Sequence, residues 1–584
     1  MKEILSGNEA IARGAYEAGV KVASAYPGTP STEILETIIR YKSIDSSWAP
    51  NEKVALEVGI GASFGGGRAL VTMKHVGVNV AADPLFTLSY TGVIGGLVLV
   101  TADDPEMHSS QNEQDNRNYA KFAKIPMLEP SDSQECKDFT IIAFELSEKF
   151  DTPVLLRTTT RTSHSKSIVN LGEQVQGLPE PKLLKNAAKF VMLPGNARIR
   201  HPIVEARILK MAELGNSLAI NRIEKRGSDI GIITSGISYQ YVREVLPEAS
   251  TLKLGMVYPL PFDLIREFSA SVKRLYIVEE LDPFLEEQIR AEGIDVCGKE
   301  ILPLCGELTP GIIRKAFGLP MPARDEGENL PGRPPNMCPG CPHRGVFFAL
   351  NQLKAYVTGD IGCYTLGFMP PLSAMDTCIF MGASVGNAIG VTKVVSDAEK
   401  KKVVAVIGDS TFLHTGINGL IDMAYNNAPT TLVILDNSIT AMTGRQDNPA
   451  SGFTLMNEPA FTVDIAELCK VLGIRNVRKI DPYDLESTRK TLEEEMNRPE
   501  PSVIITNRPC VLVKRDGVFE SSPALSVSSE KCTGCRACLK IGCPAISWKT
   551  TEGNKGKAFI DRLLCTGCDV CRQLCKFDAI WKSQ

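Results

Sequence analysis

The sequence has no apolar stretch long enough to cross a bilayer. Its longest uncharged apolar run, around Val93 to Val100, falls far short of the ~20 residues a spanning helix needs and reads as a buried strand. A charge imbalance is missing too: 64 basic against 68 acidic residues leave a net −4, so nothing recruits nucleic acid or an anionic membrane. Nor does the opening stretch read as a leader. The opening MKEILSGNEAIARGAYEAG enters an amphipathic helical pattern without an apolar core or a small-residue cleavage site, so a cytoplasmic location is expected. Thiols stay reduced there, which argues against a disulfide framework for the 17 cysteines and favours metal or cluster ligation. Eight of them crowd into the last 53 residues.

At 584 residues the chain is too long for one core, and roughly 150 residues per domain suggests about four units. Its 43% hydrophobic and 23% charged content is ordinary for a globular protein. Helical stretches alternating with β-rich runs such as RALVTMKH, GGLVLVT and TPVLLRTT predict a parallel α/β unit over 1–190. A charged helical connector over 191–227 leads to a second α/β unit over 228–318. Five prolines and three glycines in FGLPMPARDEGENLPGRPPNM mark a linker over 319–337. A third α/β unit over 338–514 carries VVAVIGD and TTLVILDN as its clearest buried strands, and a second linker over 515–528 precedes a Cys-rich module over 529–584.

In the third unit an apolar strand ends in Gly408-Asp409-Ser410, and another ends in Asp436-Asn437-Ser438. A magnesium ion on a diphosphate wants about six oxygen ligands, and the Asp409 carboxylate, the Asn437 amide oxygen and the Ile439 carbonyl can share one face of it. The pair resembles the GDG…NN signature of thiamine-diphosphate enzymes, with Ser410 and Asp436 at the departing positions. Turn residues ending two parallel strands are the alternative reading. Upstream, in MGASVGNAIG, the small residues Gly382, Ala383 and Ser384 suit close backbone approach to a phosphate at a helix start, or close helix packing.

The tail repeats CTGCRACLKIGCP and CTGCDVCRQLCK with an offset of 33 residues. Each half resembles the cysteine run of bacterial two-cluster ferredoxins, in which the fourth cysteine serves the other cluster. That resemblance implies two 4Fe–4S clusters, one on Cys532, Cys535, Cys538 and Cys575 and the other on Cys565, Cys568, Cys571 and Cys543. Paired zinc sites are the alternative. A module this small needs its ligands for stability.

Tyr26-Pro27-Gly28-Thr29-Pro30-Ser31 resembles the YPITPS motif of the 2-oxoacid:ferredoxin oxidoreductases, and Asn51 to Gly77 resembles their pyrimidine-binding stretch. With the Cys338-Pro339-Gly340-Cys341 segment, the diphosphate signature and the tail, the likeness spans nearly the whole chain in the domain order of the indolepyruvate branch. It implies a multidomain α/β fold: a pyrimidine-binding domain (1–190), a transketolase-C-terminal-like domain (228–318), a diphosphate- and magnesium-binding domain (338–514) and a ferredoxin-like domain (529–584). The family's pattern selects Glu52, nine residues before Gly61, to hold a proton against the aminopyrimidine, with Glu57 as the other candidate; burial in an apolar pocket would suit that task. Thr29 is implied to bond the substrate carboxylate, or is a turn residue. His75 either polarises the substrate carbonyl or packs beside its strand. The pyruvate enzymes' carboxylate-binding arginine is missing, replaced by Thr101-Ala102-Asp103-Asp104. Cys338, Cys341, Cys363 and Cys510 match the ligands of a third cluster in family members, or are scattered structural cysteines.

The resemblance further implies oxidative decarboxylation of aryl pyruvates, indolepyruvate among them, to the aryl-acetyl-CoA and CO2 with reduction of an external ferredoxin. Another 2-oxoacid, a non-oxidative thiamine decarboxylase, and an electron carrier with a vestigial thiamine site are the alternatives. No coenzyme A segment is evident, so a separate small (beta) subunit and a dimer of heterodimers are expected.

Overall fold

The computed structural model describes residues 1–322, 332, 334–513, 521–550 and 556–582, so the central parts of both expected linkers lie outside the described residues. The chain divides into two compact units, 1–327 and 328–584.

The first unit is built on a seven-stranded sheet in the order Met256–Tyr258, Met127–Leu128, Val154–Thr159, Leu97–Asp103, Ala69–Lys74, Val22–Ala25 and Asp45–Trp48. All its pairings are parallel except that of the edge strand Met256–Tyr258. Every residue of Leu97–Asp103 is buried, as expected of a strand covered by helices on both faces. The helices Gly7–Glu17 and Ser133–Phe150 pack on each other, each started by a side chain that accepts a first-turn N–H: Ser6, in a capping box with Glu9, and Asp132. A second sheet runs Arg274–Val278, Ile230–Ser235, Ser250–Leu254 and Arg222–Glu224, the last strand antiparallel.

The expected separation of 1–190 from 228–318 is not a boundary of compactness. Met256–Tyr258, from the second segment, completes the first sheet against Met127–Leu128. The helix Pro194–Gly215, expected as a connector, is fastened to the first sheet's surroundings by Arg207, which donates to the carbonyls of Asp151 at 2.6 Å and Ser89 at 2.7 Å. Two arginines and five carboxyl groups buried between the sheets complete the join: Arg157 meets Asp103 at 2.7 Å and also Glu129, Arg117 meets Asp115 at 2.5 Å and Glu279 at 2.6 Å, and Glu280 accepts from the Leu308 N–H at 3.0 Å. Hydrophobic periodicity reports none of these polar contacts.

The second unit holds a six-stranded, wholly parallel sheet in the order Thr377–Cys378, Tyr356–Gly359, Val403–Gly408, Thr431–Asp436, Ser502–Asn507 and Asn476–Ile480. Val403–Gly408 and Thr431–Asp436 are neighbours, so their C-terminal ends open side by side at one edge, where parallel α/β sheets bind ligands. The Cys-rich tail contributes two antiparallel pairs, Leu525–Val527 with Ile580–Lys582 and Ile546–Thr550 with Gly556–Ile560. Leu525–Val527 falls inside the segment expected as a linker, which therefore ends earlier. Ile541, Ile560 and Cys571 of the tail share an apolar cluster with Val346, Phe347 and Ile504, so the tail folds onto this unit. Among the described residues no helix is long and apolar enough to cross a membrane.

Candidate functional site

In the second unit the two strand ends form one polar cluster. Asp409 is buried, and its carboxylate accepts from Asn448 Nδ2 at 3.3 Å. Burial and the nearby Asp436 carboxylate push Asp409 up to about 8. Without a cation this acid disfavours its charged form, so the site has the donor chemistry of a divalent metal centre. Asn437 donates through Nδ2 to His343 Nε2 at 3.3 Å, and its Oδ1 accepts the Ile439 N–H at 3.2 Å. Ser438, between them, is left-handed at φ 59°, which turns the chain back sharply. Ser410 accepts from Thr440 Oγ1 at 2.8 Å.

The helix Ala383–Val394 begins differently from expectation. Asp360, beyond the strand Tyr356–Gly359, accepts from the N–H groups of Gly382 at 2.8 Å and Ser384 at 3.0 Å, and the Ala383 N–H bonds the Phe380 carbonyl. A carboxylate of the chain itself caps this helix start, so those three N–H groups are already engaged and do not form a ready phosphate cradle. Burial raises Asp360 to about 6.

The four cysteines around this sheet end come together. The Cys363 thiol is pushed up to about 11 by burial and by Cys510 and Cys338, and Cys341 up to about 12 by burial and by Cys363 and Cys338. They are attached to the metal-type cluster directly: the Cys510 N–H donates to the Asn437 carbonyl at 3.1 Å, and His343 stands two residues after Cys341. The tail thiols group by the crossing pattern. Cys538 is raised to about 11 by burial and then by Cys532, Cys535 and Cys575; Cys571 is raised by burial and then chiefly by Cys568, Cys543 and Cys565. Cys543, Cys565, Cys568 and Cys571 line one small pocket together with Cys341 and Arg344. Gly340, left-handed at φ 70°, lets the first cysteine pair lie against Thr566, where a Cβ would come within 2.0 Å of Oγ1. The buried guanidinium of Arg344 binds the carbonyls of Cys338 at 3.3 Å and Gly542 at 2.6 Å, bridging the two groups of thiols.

In the first unit, Glu52 starts the helix Glu52–Phe64 behind the capping residue Asn51 and is only 5% exposed. It lies against Gly77, where a Cβ would come 2.8 Å from Glu52 Oε1. Glu57 is exposed beside Lys53, so of the two acids burial favours Glu52 for that task. Thr29 is half-buried within the turn closed by the Ser31 N–H on the Gly28 carbonyl, and its own carbonyl lies 3.3 Å from Ser109 Oγ. His75 is fully buried, and its Nε2 faces the Asn112 carbonyl at 3.2 Å. Burial holds the ring down to about 4, so it is neutral, and of its two expected roles the structure favours packing beside the strand.

The chain is similar over its length to curated archaeal proteins. It is 42% identical over 633 residues to the indolepyruvate oxidoreductase subunit IorA of Pyrococcus horikoshii, covering 100% of this chain and 97% of that one. To the Archaeoglobus fulgidus IorA it is 43% identical over 619 residues, covering 99% and 97%. The chain belongs to the IorA family. Within it, residues 13–212 match the pyruvate flavodoxin/ferredoxin oxidoreductase thiamine-diphosphate-binding family, and residues 360–506 match the thiamine pyrophosphate enzyme C-terminal TPP-binding domain. The IorA family thus places the chain among the thiamine-diphosphate-dependent 2-oxoacid:ferredoxin oxidoreductases, as a subunit. A shorter likeness, 28% identity over 201 residues, links it to the 2-oxoglutarate synthase subunit KorA of Methanocaldococcus jannaschii, covering 32% of this chain and 55% of that one. The solved 2-oxoglutarate:ferredoxin oxidoreductase from Magnetococcus marinus, with 2-oxoglutarate, coenzyme A and succinyl-CoA bound, aligns at a TM-score of 0.45 and 18% identity over 54% of this chain and 65% of that one.

Three functional-site residues escaped sequence reasoning. Asp360 had a readable signal, an acid after Gly359 at the end of a short apolar run. Asn448 and Arg344 had none, because a loop asparagine and a helical arginine are informative only once their neighbours are known.

Proposed function

We propose that this IorA-family chain oxidises aryl pyruvates, indolepyruvate among them, to aryl-acetyl-CoA and CO2, passing electrons to an external ferredoxin and working with a separate small subunit. The aryl preference is supported by the relatives' names. The observation that carries the redox part is the bond from the Cys510 N–H to the Asn437 carbonyl, which ties a four-thiol group to the metal-type cluster. Bound thiamine diphosphate would supply the carbanion that attacks a 2-oxo group and stores the electron pair left when CO2 departs. Asp409, Asn437 and the Ile439 carbonyl would hold its magnesium ion. Glu52, buried and lying on Gly77, would hold a proton against the aminopyrimidine. Thr29 would bond the substrate carboxylate. Cys338, Cys341, Cys363 and Cys510 suit a first one-electron acceptor, and the two tail groups suit its successors.

The test uses the chain co-expressed with its small subunit under anaerobic conditions. A 2-oxoacid panel with coenzyme A and methyl viologen should show fastest reduction with indolepyruvate or phenylpyruvate. Cys510→Ala should lose up to four irons per chain and most viologen reduction while retaining thiamine. A wild type that decarboxylates without reducing viologen would make it a non-oxidative enzyme.

A further inference from the structure

The arginine expected for the substrate carboxylate is absent, because Thr101, Ala102, Asp103 and Asp104 occupy that strand end. The neighbouring strand supplies another cation. Lys74 closes Ala69–Lys74, paired with Leu97–Asp103 so that Lys74 stands opposite Ala102. Its stem lies on Gly28, where a Cβ would sit only 3.2 Å from the Cβ of Lys74, and Thr29 is the next residue. The ammonium donates to the Ser109 carbonyl at 2.8 Å, and the Ser109 hydroxyl, with one proton, reaches both the Thr29 carbonyl at 3.3 Å and Asp104 Oδ2 at 3.2 Å. Lys74 and Thr29 are thus held on one serine.

This ammonium is half-buried, yet among the described residues no carboxylate forms an ion pair with it. Two acids influence it, Asp104 and then Glu52, and Asp104 is directed elsewhere: Oδ2 accepts from the Ser109 N–H at 2.8 Å and from Ser110 Oγ at 2.5 Å, and Oδ1 accepts from Thr160 Oγ1 at 2.7 Å. An ammonium has three donors, and one carbonyl uses one of them. A half-buried cation that feels Asp104 and Glu52 but bonds neither keeps donors free for an anion, and low dielectric strengthens that attraction.

We propose that Lys74 binds the carboxylate of the 2-oxoacid beside Thr29, in place of the missing arginine. This rests on the 2-oxoacid reading above. Burial lowers Lys74 to about 8, which leaves it mostly protonated at neutral pH. A lysine holds a carboxylate as a point charge, without the planar fork of arginine, so orientation is left to the contacts of the substrate side chain. That division suits substrates with a large side chain.

The test compares the thiamine-loaded heteromer with its Lys74→Met, Lys74→Gln and Lys74→Arg variants. Calorimetry measures 3-phenylpropionate against its uncharged amide, a pair that reports the charge without turnover. The wild type should prefer the carboxylate, Lys74→Met and Lys74→Gln should lose about 10- to 100-fold in carboxylate affinity with the amide unchanged, and Lys74→Arg should restore most of it. With phenylpyruvate the first two should raise KM far more than they lower kcat. An unchanged carboxylate preference in folded Lys74→Gln, or an equal loss for acid and amide, overturns the assignment. A wild type that binds 3-phenylpropionate through Lys74 yet turns over no 2-oxoacid would keep the anion site and overturn the reaction reading.

Discussion

Both units bury carboxyl groups, and they treat them in opposite ways. Between the sheets of the first unit, Asp103, Asp115, Glu129 and Glu279 each meet Arg117 or Arg157 at ion-pair distance, so each of the four has a cation of the chain against it. At the sheet end of the second unit, burial and Asp436 push Asp409 up, and the chain's Lys479 eases Asp436 while no cation figures among the influences on Asp409. Buried charge answered by the chain's own arginines joins segments; buried charge left unanswered marks a place for a ligand. The cysteines follow the second pattern, since burial and mutual proximity raise their thiols, and an iron centre would take them as thiolates.

The largest effect should come from breaking the internally paired side. Arg157→Met leaves Asp103 and Glu129 buried without their cation, and we expect a loss of about 3–5 kcal/mol in denaturant unfolding. A loss under about 1 kcal/mol would show the network to be incidental. In the second unit the corresponding substitution should act on ligand binding. Asp409→Asn should cost metal-free stability less than about 1 kcal/mol but weaken magnesium-dependent thiamine diphosphate binding at least about 100-fold, or ~3 kcal/mol. Unchanged cofactor affinity would remove Asp409 from the metal site.

The smallest effect sharpens the comparison from inside the network. Five carboxyl groups outnumber two arginines there, and burial, with Glu129 and Glu307 nearby, pushes Glu280 from its ordinary 4.5 up to about 7. Between those values the native chain binds more protons at Glu280 than the unfolded chain. Its contribution therefore falls as pH rises from 4.5 to about 7, with no cost below that window and the full cost above it. Glu280→Gln, which can still accept from Leu308, should flatten the fall and gain on the order of 2 kcal/mol at pH 8. Parallel stability–pH curves for the two proteins would place the strain elsewhere.

The order of the segments, the parallel sheets, the strand-end acids and the cysteine sets were all legible in the chain. Each depends on local spacing: apolar runs mark buried strands, a Gly-Asp step marks a strand end, and Cys-x-x-Cys-x-x-Cys marks a ligand run. Spacing also nominated Glu52 and Glu57 together, and only burial separated them. The same local logic overreached at Gly382 to Ser384, where small residues suggested a phosphate cradle and Asp360, more than 20 residues upstream, had taken the N–H groups.

By itself, then, the sequence determined which residue types stand at the ends of which strands, because backbone periodicity and ligand spacing are properties of neighbours along the chain. Only the tertiary structure decided how those ends are answered: that Met256–Tyr258 completes the first sheet, that His75 turns inward while Lys74 lies against Gly28, and that Cys510 reaches Asn437. These are long-range encounters between polar groups. Their free energy depends on burial and on partners far away in sequence, and no local pattern encodes either.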